Sequence, residues 1–557
     1  MTASQQSIAM EARSISSLEK IFPRGTLTAP PHKNGSALRG EVYAFQVAYR
    51  SVQAQRAFYV NVAVSSTVVD AAIIIRSVGL APSELPCYGD ADEHVLRTEP
   101  GLYPDPLYPL EPGNRLKVLP NQWRALWIEI PAEAGELAGL QDIQVSFLTE
   151  DGSTAAKALF TLERISAALP EQQLLHTEWF HADCISTQYN VEVFSERHWE
   201  LMETYAGAAA RHGMNMLLTP LFTPPLDTQV GGERPTVQLV GVRKLGLNYE
   251  FDFTRLSRWI SMCERQGIRY LEFSHLFTQW GAKHAPKILV EEQEELVPLF
   301  GWHTNAAEAA YTQFLEQLLP ALLAFIQENG LEGRCYFHVS DEPLEEHLNS
   351  YRLASELVRK HTKGFPVIDA LSDFEFYEKG LVSQPIPSSD HIEPFIAAGI
   401  KDLWTYYCCA QYKEVANRFF HMPSARSRIL GMQLYKFDIK GFLHWGYNFW
   451  YSQYSLRAVN PYQITDAEGA FPSGDAFLVY PGENGPIESI RLKVMLEAIQ
   501  DLRALRMLEQ LAGREAALEL LEEGLSEPIT FNAYPRQTQW LLGKREQINR
   551  AIQSYRI

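Results

Sequence analysis

Two neighbouring carboxyls, Asp341 and Glu342, close the run Cys335-Tyr336-Phe337-His338-Val339-Ser340 and precede Pro343. Adjacent acids where a buried strand stops form a candidate catalytic pair, provided the chain bends outward and aims both side chains at a pocket. A second reading makes them the start of a helix, with Asp341 or Glu342 as N-cap and Pro343 at the first helical position. Capping does not need two acids. Glu272 and His275, followed by Gln279-Trp280, stand where another strand ends, and Glu178, His181 and Asp183 are similarly placed. Gly474-Asp475 reads as a turn. No G-x-S-x-G elbow occurs, and no Ser/His/Asp triad can be assembled.

The other constellation is aromatic. Leu403-Trp404-Thr405-Tyr406-Tyr407 ends what reads as the sixth strand of a strand–helix series, and Phe442-Leu443-His444-Trp445-Gly446-Tyr447-Asn448-Phe449-Trp450-Tyr451 ends the seventh. Flat rings beside Asn, His and Tyr donors match the apolar C–H face and hydroxyl rim of a sugar ring. Single Trp or Tyr residues at alternate positions also suit a core. Their density at two strand ends favours a pocket for Trp404, Tyr406, Trp445 and Tyr447 as a set.

Such strand ends need a scaffold. Residues 40–49 and 58–64 alternate with the period of half-buried strands, as do 123–130 and 143–147, and Asp151-Gly152 is a hairpin turn signal before a strand to Ile165. Strands with few helical stretches predict an antiparallel β-sandwich over residues 1–170. Beyond the linker at 166–173, strands are expected near 177–181, 214–220, 268–274, 335–340, 366–370, 402–407, 441–445 and 477–480. Helices are expected at 196–212, 253–266, 304–330, 344–361 and 488–511. The fold class is therefore α/β plus all-β: the sandwich, a (β/α)8 TIM-type barrel over 171–512, and a helical C-terminal segment over 513–557. A doubly wound sheet competes, but no Gly-rich phosphate turn follows a first strand.

Composition narrows the partners. The 557 residues are 46% hydrophobic and 21% charged, so a normal core is expected, and the net charge of −18 works against nucleic-acid or anionic-membrane binding. The longest apolar helix candidate, 314–326, is too short for a bilayer and contains Glu316, Gln317 and Pro320. The first residues lack the basic start and apolar core of a signal peptide, which predicts a cytoplasmic protein. Six cysteines make no disulfide framework, and Cys408-Cys409 reads as a reduced, buried pair. No spacing suggests zinc, so neither metal nor cofactor is expected.

The order of motifs resembles glycoside hydrolase family 123 and its related barrel proteins. The likeness lies in Asp341-Glu342-Pro343, Trp404-Thr405-Tyr406-Tyr407-Cys408-Cys409, Gly441 through Asn448, and Tyr480-Pro481-Gly482 leading to Ser489-Ile490-Arg491-Leu492. It covers most of the chain and is sharp between about Phe337 and Arg503. The resemblance implies a retaining exo-β-N-acetylgalactosaminidase working by substrate-assisted catalysis. Asp341 would orient the 2-acetamido group, whose oxygen attacks the anomeric carbon. Glu342 would protonate the leaving oxygen and later activate water, with its pKa raised and that of Asp341 low. Trp404, Tyr406, Trp445, Tyr447 and His275 would bind a small oligosaccharide or glycoside. Two alternatives stand beside it: a glycosidase for sugars without the acetamido group, pairing Glu342 with a carboxylate such as Glu272, or a non-catalytic carbohydrate-binding protein. The sequence sets no oligomeric state.

Overall fold

The computed structural model describes residues 9–67, 73–132 and 138–555. Its contacts divide the chain into two compact units, Met1–Gln172 with Ala416–Lys436 and Ile487–Ile557, and Gln173–Val415 with Phe437–Pro486.

In the first unit the alternating sequence forms two five-stranded sheets. One runs in the order Ala9–Ser16, Tyr43–Val52, Arg124–Ile130, Ile74–Ser83, Gly101–Pro109. The other runs Asn34–Arg39, Thr154–Ala168, Gly139–Leu148, Phe58–Ser66, Arg115–Val118. Phe45, Val47, Leu126 and Ile128 from the first sheet share one apolar cluster with Val62, Val145, Phe147 and Phe160 from the second. Every pairing within them is antiparallel except that between Thr154–Ala168 and Asn34–Arg39. The helix Ile490–Ala512, capped by the Ser489 side chain, also belongs here and is buried along most of its length. It packs on the helix Leu430–Lys436, where a Cβ on Gly431 would lie 1.9 Å from the Ala498 carbonyl oxygen. Only glycine permits that approach. The sequence reveals this helix but not the strands and helices it packs against.

The second unit carries the strand–helix series. Six short parallel strands form one sheet in the order Cys335–Tyr336, Tyr270–Phe273, Met216–Thr219, Leu175–Glu178, Gly441–His444, Trp404–Tyr406. Ile368–Ala370 and Gln384–Ile386 make a separate parallel pair. Single parallel bridges, Phe337 to Val367 and Ser388 to Tyr406, link that pair to the two edges of the six-stranded sheet. The hydrogen-bonded wall, expected to run without a break, is interrupted at these two seams. Trp179, Met216, Leu218, Ile368, Ile386, Trp404 and Leu443 fill the interior between the strands.

Two strand assignments change. Gln384–Ile386 is a strand that the sequence hides, because Pro385 and Pro387 cannot donate to a ladder and read as breakers. Residues 477–480 do not join the parallel strands: Phe477 bridges Asn448 antiparallel, and Tyr480–Pro481 pairs with Pro486–Ile487. Trp404 therefore stands on the seventh strand in chain order, and Trp445 follows the eighth, which pairs with the first.

Local signals account for the helices between. Ser195 accepts from the His198 amide at the start of Glu196–Arg211, and Gly267 takes φ +82° just past Thr254–Arg265. Ala309–Glu328 continues through Pro320; it is shorter than the helix expected over 304–330 and extends beyond the apolar stretch 314–326. By length and composition alone it could cross a membrane. In this fold it buries Tyr311, Phe314, Leu315, Leu318, Leu322 and Ile326.

Candidate active site

The fourth strand is only two residues long, and the chain beyond it is held by single contacts. Phe337 bridges Val367, Asp341 accepts the Trp280 amide at 2.9 Å, and Glu342 donates its amide to the Ala370 carbonyl at 3.0 Å. Glu342 takes φ +43°, a left-handed conformation uncommon outside glycine. Such conformations persist where surrounding contacts fix them, as at ligand sites. Neither acid caps the following helix. The turn Glu345–His347 starts from Leu344, whose amide donates to His347 Nδ1 at 3.1 Å, and Leu348–His361 follows.

Both carboxyls line a cavity of about 160 Å³ within the second unit. Trp179, Tyr406, Leu443 and Trp445 form its walls with Ala370, Leu226 and Phe471. Asp227, Gln279, Trp280, Gln453 and Tyr454 form a further stretch, and Cys408 and Cys409 complete it. Tyr406 donates its hydroxyl to Glu342 Oε1 at 2.7 Å, which fixes the acid and favours its charged form. Trp445 donates Nε1 to Asp475 Oδ2 at 2.9 Å, and its ring packs edge-on against Phe449 and Phe471. Trp280 and Tyr454 are each 40% exposed and meet edge-to-face with centroids 5.9 Å apart.

A buried polar chain supports the pair. His338 bonds Glu272 Oε1 through Nε2 at 2.7 Å and Asp369 Oδ1 through Nδ1 at 3.1 Å. Glu272 also accepts from Trp179 Nε1 at 2.7 Å and Thr177 Oγ1 at 2.5 Å, and Asp369 accepts from the Tyr351 hydroxyl and the Val339 amide. Burial pulls the His338 pKa down, but its bonds to Asp369 and Glu272 outweigh that and hold it at about 9, so the imidazolium persists at neutral pH. Burial raises both acids of the pair. The Glu342 charge lifts Asp341 further, His338 opposes that rise, and the Tyr406 hydroxyl restrains Glu342. The low Asp341 pKa expected from sequence is thus corrected: without substrate, burial and a charged neighbour both disfavour its carboxylate. Burial and mutual repulsion therefore favour one negative charge over two on this pair.

The predicted binding residues divide. Tyr406 and Trp445 line the cavity with Asp341 and Glu342. Trp404 does not. It lies two residues deeper on the same inward face, packs in the interior cluster and covers Gly441, where a Cβ would lie 1.9 Å from its ring. Tyr447 lies beyond the strand end, stacks on Phe180 and donates to the Tyr205 carbonyl at 3.1 Å. His275 is buried outside the lining, stacked on His338 at 4.1 Å and edge-on to Trp179 at 5.2 Å. Of the other polar residues considered, Glu178, His181 and Asp183 are buried. Asp183 is paired with Arg234, and His181 bonds the Trp445 carbonyl.

Asp227, Gln453 and Tyr454 went unseen in the sequence. Burial raises the Asp227 pKa to about 6, and its carboxylate accepts the Tyr454 amide at 3.0 Å. Their one sequence signal is position, in long segments that follow strand ends. His275, His338 and Asp369 place candidate metal-ligand atoms within 4.8 Å of one another. The two rings are stacked 27° from parallel and both His338 nitrogens face carboxylates, so the lone pairs do not converge on one ion.

Comparison with known proteins follows from this geometry. A family model described as glycoside hydrolase 123, catalytic domain, matches residues 179–508. A family 123 glycoside hydrolase from Clostridium perfringens, whose structure was described for glycolipid glycan hydrolysis, superposes with a TM-score of 0.72 at 15% identity, covering 98% of each chain. A family 5 mannosidase from Rhizomucor miehei reaches a TM-score of only 0.33 at 10% identity, over 60% of this chain and 94% of its own. No curated protein sequence matches the chain.

Proposed function

The chain belongs to glycoside hydrolase family 123 and is a glycoside hydrolase, and from that premise we propose that it is a retaining exo-β-N-acetylgalactosaminidase using substrate-assisted catalysis on small oligosaccharides or glycosides. The observation that carries the reading is the adjacency of Asp341 and Glu342, both turned into one aromatic-walled cavity. An enzyme that supplies its own nucleophile needs a second carboxylate on the opposite side of the anomeric carbon. When the substrate's acetamido oxygen attacks instead, both acids belong on one side. We also propose that the eight parallel strands, seams included, form a (β/α)8 barrel with this cavity at the C-terminal strand ends.

The chemistry follows from the charges. The pair carries one negative charge in preference to two. An acetamido N–H donated to Asp341 draws the negative charge there, where the His338 imidazolium also favours it, and leaves the proton on Glu342. The acetamido oxygen then attacks the anomeric carbon as Glu342 protonates the departing oxygen. The resulting oxazolinium is opened by water, which Glu342 deprotonates. Trp445 and Trp179 offer rings to the sugar. The Clostridium relative was described for glycolipid glycan hydrolysis, and the family resemblance of the sequence makes a terminal β-linked N-acetylgalactosamine the first substrate to try.

The rival reading, a glycosidase for sugars without the acetamido group, loses Glu272 as its second carboxylate, since that side chain is buried and accepts from three donors. Asp227 is the carboxyl in the cavity lining that could replace it. Aryl β-N-acetylgalactosaminide and β-N-acetylglucosaminide beside aryl glycosides without the acetamido group, with a thiazoline mimic of the oxazoline as inhibitor, separate the two. Hydrolysis with tight thiazoline binding is expected. Hydrolysis only of sugars lacking the acetamido group, abolished by Asp227→Asn, would establish the rival.

A further inference from the structure

Cys408 and Cys409 follow Tyr406 by two and three residues and line the same cavity as Glu342. Neither is in a disulfide, both are partly exposed rather than fully buried, and the two thiols are neighbours that influence each other. Gln411 fixes the first: its Oε1 accepts the Cys408 amide at 3.0 Å and the Cys408 thiol at 3.2 Å, while its Nε2 donates to Asp390 at 3.0 Å. We propose that Cys408 and Cys409 together bind one soft, thiophilic divalent cation, and that its occupation closes the cavity to sugar. The second half of this proposal rests on the cavity being the sugar site; the first half does not.

Soft sulfur ligands select soft metal ions. The surroundings favour a cation as well. Asp227, Asp341 and Glu342 line the cavity, and no Lys or Arg is among the described lining residues. A soft cation can displace both thiol protons. Two S–H bonds break, two S–metal bonds form, and both protons leave to solvent with no change of oxidation state. The two thiolates neutralise the divalent charge, so an already acidic cavity gains no net charge. The bound ion then lies in the cavity that Glu342 also lines, the space the sugar is proposed to occupy.

Mercury(II) is the probe, in a Cys87→Ser background that removes the remaining partly exposed cysteine; Cys184, Cys263 and Cys335 are buried. Native mass spectrometry and calorimetry should show one ion per chain. Cys408→Ser or Cys409→Ser should each weaken binding by more than the roughly 100-fold that loss of an outer contact costs. Magnesium(II) should not bind. Retention of one tightly held ion by either serine variant overturns the site. Circular dichroism of the loaded protein checks that binding leaves the fold intact, and the two single variants guard against one of them failing to fold. Where the protein hydrolyses an aryl glycoside, the rate should fall in proportion to occupancy and return with a dithiol. A loaded enzyme with full activity overturns the closure. Absence of hydrolysis on every aryl glycoside would refute the glycosidase assignment instead, and stoichiometry would still decide the metal site.

Discussion

Replacing Tyr406 by Phe removes one hydroxyl and leaves the ring in the wall. That hydroxyl donates to Glu342 Oε1 at 2.7 Å and favours the charged carboxylate. A hydrogen bond to a charged group contributes about 1.5–3 kcal/mol. At about 1.4 kcal/mol per pKa unit, its loss should raise the proton affinity of the acid pair by about one to two units. In the proposed mechanism the first chemical step requires the protonated acid, so the alkaline limb of kcat/KM should report the pair losing its proton. In Tyr406→Phe that limb should therefore move to higher pH by about one to two units. The rate at the optimum should fall by less than the roughly 100-fold that loss of a general acid costs at minimum. The assay is a pH series of kcat/KM with an aryl β-N-acetylgalactosaminide, with melting points taken alongside. A limb that stays fixed or moves to lower pH while the protein remains folded would refute the role given to this contact.

Three other perturbations follow from the same geometry. Glu342→Gln should lose about 10²–10⁴-fold on poor leaving groups, keep the first step with dinitrophenol as leaving group, and be rescued by azide; Asp341→Asn should lose activity with every leaving group and resist azide. His338 is held at about 9 against an ordinary 6.5, so its stabilisation is complete below pH 6.5 and lost as pH rises through 9. Wild-type stability should fall by up to about 3 kcal/mol across that window, whereas melting points of His338→Gln should stay flat over it. Gly441→Ala would place a Cβ 1.9 Å from the Trp404 ring. Overpacking of that kind costs about 1–3 kcal/mol, and an unchanged denaturation midpoint would show that Trp404 can shift aside.

The acid pair was legible because an alternating run ends in two carboxyls that nothing local requires. Depth was not. Trp404 and Tyr406 share an inward face, but at about 3.3 Å per residue the first lies near 7 Å farther from the strand end, where only packing can use it. Tyr447 and His275 belong to segments past their strand ends, where the two-residue period no longer says which way a side chain points. Asp227, Trp280 and Tyr454 sit at φ +38°, +56° and +59° without the glycine or asparagine that would announce such turns. The two sheets of the first unit declared themselves by alternation. The sixth parallel strand did not, since its prolines mask it, and the helix Ile490–Ala512 showed its existence but not its neighbours.

The two seams in the parallel wall bear on how the enzyme should fail. Ile368–Ala370 and Gln384–Ile386 share only one ladder bridge with their neighbours on each side, further ties including the Glu342–Ala370 bond and the side-chain bonds of Asp369 to His338, Val339 and Tyr351. Few ladder bonds need to break for this strand pair to part from the rest, and elements so joined open sub-globally well below the free energy of complete unfolding. The Glu342 amide is tied to the Ala370 carbonyl at one end of the pair, and Ser388 bridges to Tyr406 at the other. Opening at either seam would release one of the two groups whose contact defines the acid. On warming, catalytic competence should therefore disappear before the bulk of the secondary structure, and a sugar held in the cavity should delay the loss by bracing the seam from within.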